Sequence, residues 1–365
     1  MQYKKDWEET KRRFKAWWDG SNSGRPLMWI VAKRRVLLEE LECEEEFTDA
    51  EDFHLNLTKR ITRYRNYLKS HIFMADSFPN FDFNLGAGSM AIYLGVEPNF
   101  HWDTIWFKEC VQEGFNSWGR LYFDQENLWW RKHFELIRSA KELSQDDFLV
   151  NIPDIVENID ILAAMRGSQE LCYDLVDEPN LVKDYIEQVD ELYFLYYDRI
   201  YEMVKGRDGS SSYTAFNIWG PGKTAKVQCD FCALMSPFQF REFIQPSLEK
   251  QCALLDYSMY HLDGPDAVKH LDALMEIKKL NALQWTPGAG NPDGGYEGWY
   301  PIYDKVKAAG KSLWIKLEDG DIKDWVEASE RLVKRYGTEG LYLLYPQMEE
   351  HEALDLIAKA ERDWA

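Results

Sequence analysis

The feature that most constrains this chain is a regular alternation of short apolar segments and longer amphipathic segments, which runs from about residue 147 to the C-terminus. The lengths and periods of these segments predict strands and helices in turn. Repeated βα units of this length indicate a parallel sheet whose strands are buried on both faces. Such a sheet either closes into a barrel or stays open with helices wound on both sides.

The predicted strands are 148–152, 213–219, 259–262, 282–285, 312–317 and 341–345, and the predicted helices are 156–166, 179–205, 237–256, 265–277, 299–309, 321–336 and 349–362. No dinucleotide or phosphate-loop fingerprint follows any of these strands. The glycine loops at 86–88 and 288–290 lack the third glycine of the dinucleotide motif, and 220–224 resembles only the tail of a phosphate loop. No nucleotide cofactor is therefore expected, and we predict a closed (β/α)8 barrel, a TIM barrel, over an open sheet.

The N-terminal part is predicted to decorate that barrel. Residues 1–24 form an amphipathic lead-in helix and its turn, with aromatic residues on one helical face. A strand at 26–31 ends in the basic cluster Lys33, Arg34 and Arg35, which is either an anion-binding group or a solvated charge run. Residues 100–135 are a predicted insertion, and the chain 1–365 is predicted to be one domain.

Charge and composition exclude several classes of partner. The net charge of −20 disfavours binding to nucleic acid or to an anionic membrane surface, since both require basic patches. No apolar run is long enough to span a membrane and no signal peptide is evident, so we expect a cytoplasmic protein. The six cysteines are scattered, and the Cys229/Cys232 pair has no second pair to complete a zinc knuckle, so buried free thiols are expected.

Polar and aromatic residues cluster where the predicted strands end. These residues are Trp219, His261, Asp263, Gln284, Trp285, Glu318 and Tyr345. In a barrel the carboxyl ends of the strands converge on one face, where small ligands bind. Each residue also has an ordinary structural role open to it: His261 as a core histidine, Asp263 as a cap before Pro265, and Glu318 as a loop charge.

Two sequence blocks resemble the uroporphyrinogen decarboxylase-like superfamily. Residues 235–246, Met-Ser-Pro-Phe-Gln-Phe-Arg-Glu-Phe-Ile-Gln-Pro, and then Tyr260-His-Leu-Asp-Gly264 are similar to a family pattern in which a Ser-Pro helix precedes a strand ending in His-x-Cys-Gly. Arg25–Trp29 and Ile161–Gly167 are similar to two weaker landmarks. The resemblance spans roughly residues 25–345, and it implies the same barrel fold.

The superfamily includes porphyrinogen decarboxylases and cobalamin-dependent methyltransferases. Asp82 resembles the essential Asp of the decarboxylase, but Leu344-Tyr-Pro-Gln-Met348 replaces the family's C-terminal Gly-His-Gly. The methyltransferase branch holds zinc with a His, a Cys two residues on and a later Cys. His261 matches the first ligand, Asp263 stands in place of the second, and no cysteine follows Cys252.

The resemblance favours a corrinoid-linked methyltransferase acting on a small methylated substrate. Trp219 and Trp285 would line the substrate site, and a separate corrinoid protein would dock over its mouth. His261 and Asp263, with Glu318 as a third candidate, would polarise the leaving group, either with a divalent metal such as zinc or as a metal-free acid/base pair. Gln284, Tyr345, Arg34 and Asp82 are further candidates for substrate contacts. A homodimer is a candidate assembly.

Two other functions stay open from the sequence. One is a cofactor-free decarboxylase or lyase, in which Arg34 or Arg35 binds a carboxylate and His261 or Asp263 moves a proton. The other is a non-catalytic barrel that binds a small molecule.

Overall fold

The N-terminal 144 residues combine short strands with six helices. In the computed structural model, which describes residues 1–364, the helices are α1 (Trp7–Trp18), α2 (Ala50–Leu55), α3 (Leu57–Ser70), α4 (Met90–Tyr93), α5 (Phe115–Trp118) and α6 (Leu128–Ser144). The strands are β1 (Leu27–Lys33), β2 (His71–Ala75), β3 (Asn80–Phe81), β4 (Glu97–Phe100) and β5 (Ile105–Lys108). The predicted insertion at 100–135 therefore includes part of a β-hairpin, a short helix and the first turns of α6.

The C-terminal part alternates strands and helices. Its strands are β6 (Leu149–Val150), β7 (Ser211–Tyr213), β8 (Ile218–Gly220), β9 (Thr224–Gln228), β10 (Tyr257–Asp263), β11 (Ala282–Thr286), β12 (Ser312–Lys316), β13 (Leu341–Leu344) and β14 (Met348–Glu349). Its helices are α7 (Asn158–Arg166), α8 (Ser168–Asp177), α9 (Pro179–Val204), α10 (Pro237–Gln239), α11 (Gln245–Leu254), α12 (Leu271–Glu276), α13 (Tyr300–Ala308), α14 (Ile322–Tyr336) and α15 (Glu350–Asp363).

The central sheet is mostly parallel. Eight strands join it in the order β14-β1-β13-β12-β11-β10-β9, with β2 added antiparallel to β1. Strands β3 and β6 form a separate parallel pair, and an isolated bridge links Ile152 to Tyr213. The fold is thus a mixed α/β fold with many helices around a largely parallel sheet. Among the described residues the ladders do not join into one closed ring, so closure into a (β/α)8 barrel stays a prediction.

One predicted strand is wrong. Residues 213–219 were expected to form one strand, but they cover the end of β7, the turn at 214–217 and the start of β8 in an antiparallel hairpin. Ala215 and Asn217 adopt positive φ angles of 67° and 51° in this turn, a region that Asn tolerates better than most residues. The parallel strand of this region is β9, which begins five residues later than the predicted strand ends.

The predicted helix 237–256 is interrupted. Its middle, Phe240–Ile244, is a π-helical turn that lies directly before α11. Pro246 lies just after this turn and has no backbone N–H to donate to the preceding turn, which disfavours regular α-helical hydrogen bonding there. The predicted helix 265–277 likewise begins as the 3-10 turn Pro265–His270 before it becomes α12.

Helix α1 covers the amino ends of the strands. The Trp17 carbonyl accepts a hydrogen bond of 2.6 Å from Ser312 at the start of β12, and Trp18 Nε1 donates 2.8 Å to the carbonyl of Trp219. The side chains of Phe14, Trp17 and Trp18 are buried. The carboxyl ends of the strands, on the opposite side, stay free of this helix. Within residues 1–364 no helix has both the length and the apolarity needed to cross a membrane.

Candidate functional site

Strands β9, β10 and β11 bring three polar side chains into one row. His261 in the middle strand lies opposite Gln228 of β9 and Gln284 of β11. Side chains two residues apart on a strand share a face, so Asp263 follows His261 on the same side. Asp230 follows Gln228 just beyond the end of β9. Ligand atoms of Asp230, His261 and Asp263 all lie within 4.8 Å of one another.

The orientation of His261 is fixed by Gln284. The side-chain oxygen of Gln284 contacts Nδ1 of His261, and its amide nitrogen donates a hydrogen bond of 2.8 Å to Thr286 Oγ1. With the amide held this way round, Nδ1 of the imidazole is the donor. The lone pair of the neutral ring is then on Nε2, the state required of a metal ligand or a proton acceptor.

His261 is held neutral by its surroundings. Burial lowers the pKa of the imidazole, and the charge of Lys226 lowers it further, while Gln284 and Asp263 act in the opposite direction. Burial disfavours the charged form of any cationic group, which is the main effect here. A neutral imidazole can accept a proton or coordinate a cation at neutral pH.

Lys226 forms a buried ion pair with Asp154. The ammonium lies 2.7 Å from the Asp154 carboxylate, contacts the side-chain oxygen of Gln228, and is almost completely enclosed. The hydroxyl of Tyr213 donates a further hydrogen bond of 3.0 Å to Asp154. The positive charge of Lys226 is therefore committed to one carboxylate, and the other acidic groups nearby have no cationic side chain of their own.

Asp160 and Asp230 are linked through Gln228. The amide nitrogen of Gln228 donates to Asp160 at 3.1 Å and to Asp230 at 2.9 Å. Asp160 also accepts from the backbone N–H groups of Asp230 and Phe231 at 2.8 and 2.9 Å. Although part of Asp230 reaches solvent, desolvation by the surrounding protein, followed by the charge of Asp160, raises the pKa of Asp230 to about 7. A bound cation would relieve this repulsion between carboxylates.

A strained loop supports the site from behind. Val156 and Asn158 both have a φ of 53°, which is unfavourable and, for the β-branched valine, rare. Between them Glu157 is fully buried and accepts a hydrogen bond of 2.8 Å from the backbone N–H of Gln228. Its second oxygen has no hydrogen-bond partner in the described chain, and burial raises the pKa of Glu157 well above its usual value. The strain is consistent with a loop shaped by the site.

The donor set fits a divalent cation. Asp230, His261 and Asp263 offer one imidazole nitrogen and two carboxylate oxygens at mutual distances that one ion can span. Within the described residues the set contains no cysteine, and the absence of a thiolate pair from any metal held here stays a prediction. Nitrogen and oxygen ligands leave a metal more Lewis-acidic than thiolates do. The third member of the set is Asp230, and not the predicted Glu318.

A cavity of about 570 Å³ opens beside this cluster. Gln228, Asp160 and Asp230 form the part of its lining that adjoins the cluster, and strand β5 and helix α7 contribute to its walls. His261 and Asp263 are not among the described lining residues. The other lining residues are Ala87, Gly88, Trp106, Phe107, Glu109, Val156, Ala163, Ala164, Gly167, Ser168, Phe231 and Leu234. Its volume suits a small organic ligand.

Three of the predicted polar site residues have other partners. Glu318 is half exposed and pairs with Lys316. Arg34 donates a hydrogen bond of 2.9 Å from Nε to the carbonyl of His71, so part of its guanidinium ties β1 to β2. Tyr345 is buried and its hydroxyl lies 2.8 Å from Ser329 Oγ on α14. The structure does not join these three to the His261 cluster.

Asp82 lies just beyond β3 and keeps a desolvated carboxyl. Burial raises its pKa, and one of its oxygens has no hydrogen-bond partner in the described chain. Arg60 donates to the Asp82 carbonyl at 2.6 Å. Asp82 is neither a member of the ligand set nor part of the cavity lining.

The two predicted wall tryptophans face away from the cluster. Trp285 adjoins Gln284 in β11, so alternation places it on the other face, where it packs on Trp299 at 5.3 Å between ring centroids. Trp219 packs against Trp7 and Phe14 of α1. The aromatic neighbour of His261 is Phe216, from the β7–β8 turn, at 5.0 Å.

The sequence did not reveal the acidic half of the site. Asp154, Glu157, Asp160 and Asp230 were not predicted, nor was Lys226. A usable signal was Gln228-Cys-Asp230, which lies just before the Ser-Pro landmark at 236–237. This signal was overlooked because strand β9 was not predicted. The polar residues Lys226 and Gln228 break the apolar pattern of a buried strand.

No protein-family model matches the sequence, and no curated protein is significantly similar to it. Solved structures do match. The fold is similar to that of a methyltransferase from Methanosarcina mazei. The two chains align with a TM-score of 0.60 at 11% sequence identity, over 96% of this chain and 98% of the other. At this identity the likeness establishes the fold, and the activity has to be argued from the site.

Proposed function

We propose that the protein is a methyltransferase that takes a methyl group from a small methylated substrate bound in the cavity and passes it to a corrinoid carried by a partner protein. The observation that carries the proposal is the convergence of Asp230, His261 and Asp263, of which Asp230 also lines the cavity. The structural likeness to a methyltransferase adds support at the level of the fold. We also propose that the strands close into a (β/α)8 barrel of the uroporphyrinogen decarboxylase-like type.

In this proposal the residues of the chain bind and polarise the substrate. His261, with Gln284 fixing its ring, presents the Nε2 lone pair, and Asp230 and Asp263 present carboxylate oxygens. These three residues would hold a divalent metal, which when bound supplies a Lewis acid for the leaving group. Without a metal, the same residues hold or move a proton at the leaving atom.

The decarboxylase alternative has less support from the cavity. A carboxylate substrate needs a cationic partner, and in the described chain none of the residues that line the cavity is Lys, Arg or His. Of the two predicted carboxylate ligands, Arg34 is bonded to the His71 carbonyl, and neither Arg34 nor Arg35 is among the lining residues.

The test is methyl transfer by the purified protein to free cob(I)alamin, followed by absorbance, over a panel of methoxy and methylamino compounds. We expect protein-dependent methylation with at least one compound. If none of the panel supports methylation, with or without added Zn²⁺, and a carboxylated compound instead releases CO₂, the methyltransferase proposal is wrong.

A further inference from the structure

We propose that the cavity binds an organic cation, a small methylated ammonium compound, with its charge beside Asp160 and Asp230. That this cation is the methyl donor rests on the proposed function, whereas its binding does not. The cavity contains three carboxylates, those of Glu109, Asp160 and Asp230, and none of its described lining residues is Lys, Arg or His. This charge distribution attracts cations and repels carboxylates, phosphates and sulfonates.

The nearby positive charge is already used. Lys226 is enclosed and paired with Asp154 at 2.7 Å, so it offers no free partner to Asp160 or Asp230. Because Lys226 is already paired with Asp154, the carboxylates of the cavity have no cationic side chain of their own, among the described lining residues, to balance them.

The walls away from the carboxylates suit the methyl groups of an ammonium compound. Trp106, Phe107 and Phe231 present aromatic surface to the cavity, and aromatic faces attract quaternary ammonium groups. Ala87, Gly88, Ala163 and Ala164 leave room for methyl groups along the rest of the wall. Trp106 is 62% exposed, and a ligand in the cavity would cover the part of its side chain that lines the cavity.

An ammonium donor is chemically consistent with methyl transfer. When a quaternary nitrogen donates a methyl group, the C–N bond breaks and its electron pair stays on nitrogen. The methyl carbon bonds to the reduced corrinoid acceptor, which supplies the new electron pair. The leaving group is a neutral amine, so charge and electrons balance without a proton. A quaternary nitrogen has no lone pair, so the Lewis acid or proton of the proposed function would be required only by a neutral methoxy donor.

The test compares choline with its neutral isostere 3,3-dimethylbutan-1-ol by isothermal titration calorimetry, with full-length protein, EDTA and no corrinoid. We expect choline to bind at least about tenfold more tightly, since loss of the charge removes both the carboxylate attraction and the cation–π attraction. Asp230→Asn and Trp106→Ala should each weaken choline binding severalfold. Glu126→Gln, at an exposed carboxylate outside the cavity lining, should leave it unchanged.

Equal affinity for the two compounds, or no binding of choline at 10 mM (roughly the weak limit of specific recognition), would overturn the inference. If a neutral methoxy compound is then demethylated, the proposed function survives without it. If choline binds selectively but no compound donates a methyl group, the cation site stands and the methyltransferase proposal falls.

Discussion

Lys226 and Asp154 form an ion pair of 2.7 Å in which the two side chains are only 1% and 7% exposed. The lysine comes from β9 and the aspartate from the strained loop before α7. In the same strand, the side chain of Gln228 donates to Asp160 and its backbone N–H donates to Glu157. The ion pair therefore belongs to the hydrogen-bonded network of acidic residues that supports the site.

Replacing Lys226 by Met should leave Asp154 buried without a counter-charge. Breaking such a pair on one side costs about 3–5 kcal/mol, since the remaining charge stays desolvated. We expect a loss of that size in the free energy of unfolding, measured by urea denaturation. Lys226→Met combined with Asp154→Asn should recover part of it, because neither charge remains. A single variant that loses less than about 1 kcal/mol would show that the pair is open to water.

Gln284 is expected to act as a positioning residue through His261. Gln284→Leu removes the acceptor for Nδ1–H and should lower activity and Zn²⁺ affinity by roughly 10- to 100-fold, the usual effect of losing a partner that orients a ligand. Gln284→Glu keeps an acceptor oxygen and should restore much of the Zn²⁺ affinity. Thr286→Val, which removes only the lock on the amide, should have a smaller effect. Equal loss in the Leu and Glu variants would point to packing instead of orientation.

Asp190 should make stability depend on pH. It is buried between α9 and α11, accepts a hydrogen bond of 2.8 Å from Ser247 Oγ, and burial raises its pKa to about 7. The folded protein therefore binds the proton more tightly than the unfolded chain, so stability should fall as the pH rises from about 4 to about 7 and then level off.

Asp190→Asn keeps an acceptor oxygen for Ser247 and removes the titration. We expect this variant to be at least about 1 kcal/mol more stable than the unmodified protein at pH 8, with the difference shrinking toward pH 5. Glu191→Gln, at the exposed neighbouring position on α9, is the control and should show no such trend. A constant difference between pH 5 and pH 8 would contradict the assignment.

Any metal held at the site should have nitrogen and oxygen ligands only. The ligand set consists of Asp230, His261 and Asp263, and Cys229 and Cys232 are buried outside it. X-ray absorption on the Zn²⁺-loaded protein should fit a first shell without sulfur, since Zn–S distances of about 2.3 Å are distinct from Zn–N and Zn–O distances. A fit that requires two sulfur ligands would refute this ligand set.

The sequence predicted the C-terminal alternation well because each strand there is a short apolar run followed by an amphipathic helix. It also placed His261, Asp263 and Gln284 together, since strand alternation and neighbouring parallel strands determine that relationship. Asp230 escaped prediction because β9 carries Lys226 and Gln228, whose burial depends on partners from a distant loop. No local pattern reports such long-range charge pairing.

The predicted aromatic walls illustrate a second limit. Trp285 is adjacent to Gln284 in sequence, and adjacent residues of a strand face opposite sides, so only one of the two could reach the site. Trp219 could not be placed because the β7–β8 turn depends on residues in left-handed conformations. Two of the three aromatic residues that do line the cavity, Trp106 and Phe107, lie in a hairpin within the predicted insertion, to which the sequence analysis assigned no strands.

The most direct test of the proposed function compares the methyl-transfer rate of the His261→Ala and Asp263→Asn variants with their melting temperatures. Both residues belong to the cluster at the carboxyl end of β10. The contact of His261 with Gln284 lies within the site and contributes little to the packing of the core. We predict that each change lowers the rate of methyl transfer to cob(I)alamin by roughly 100-fold or more and leaves the melting temperature nearly unchanged, the pattern expected when a positioned acid, base or metal ligand is lost. A folded double variant with unimpaired methyl transfer would contradict the account.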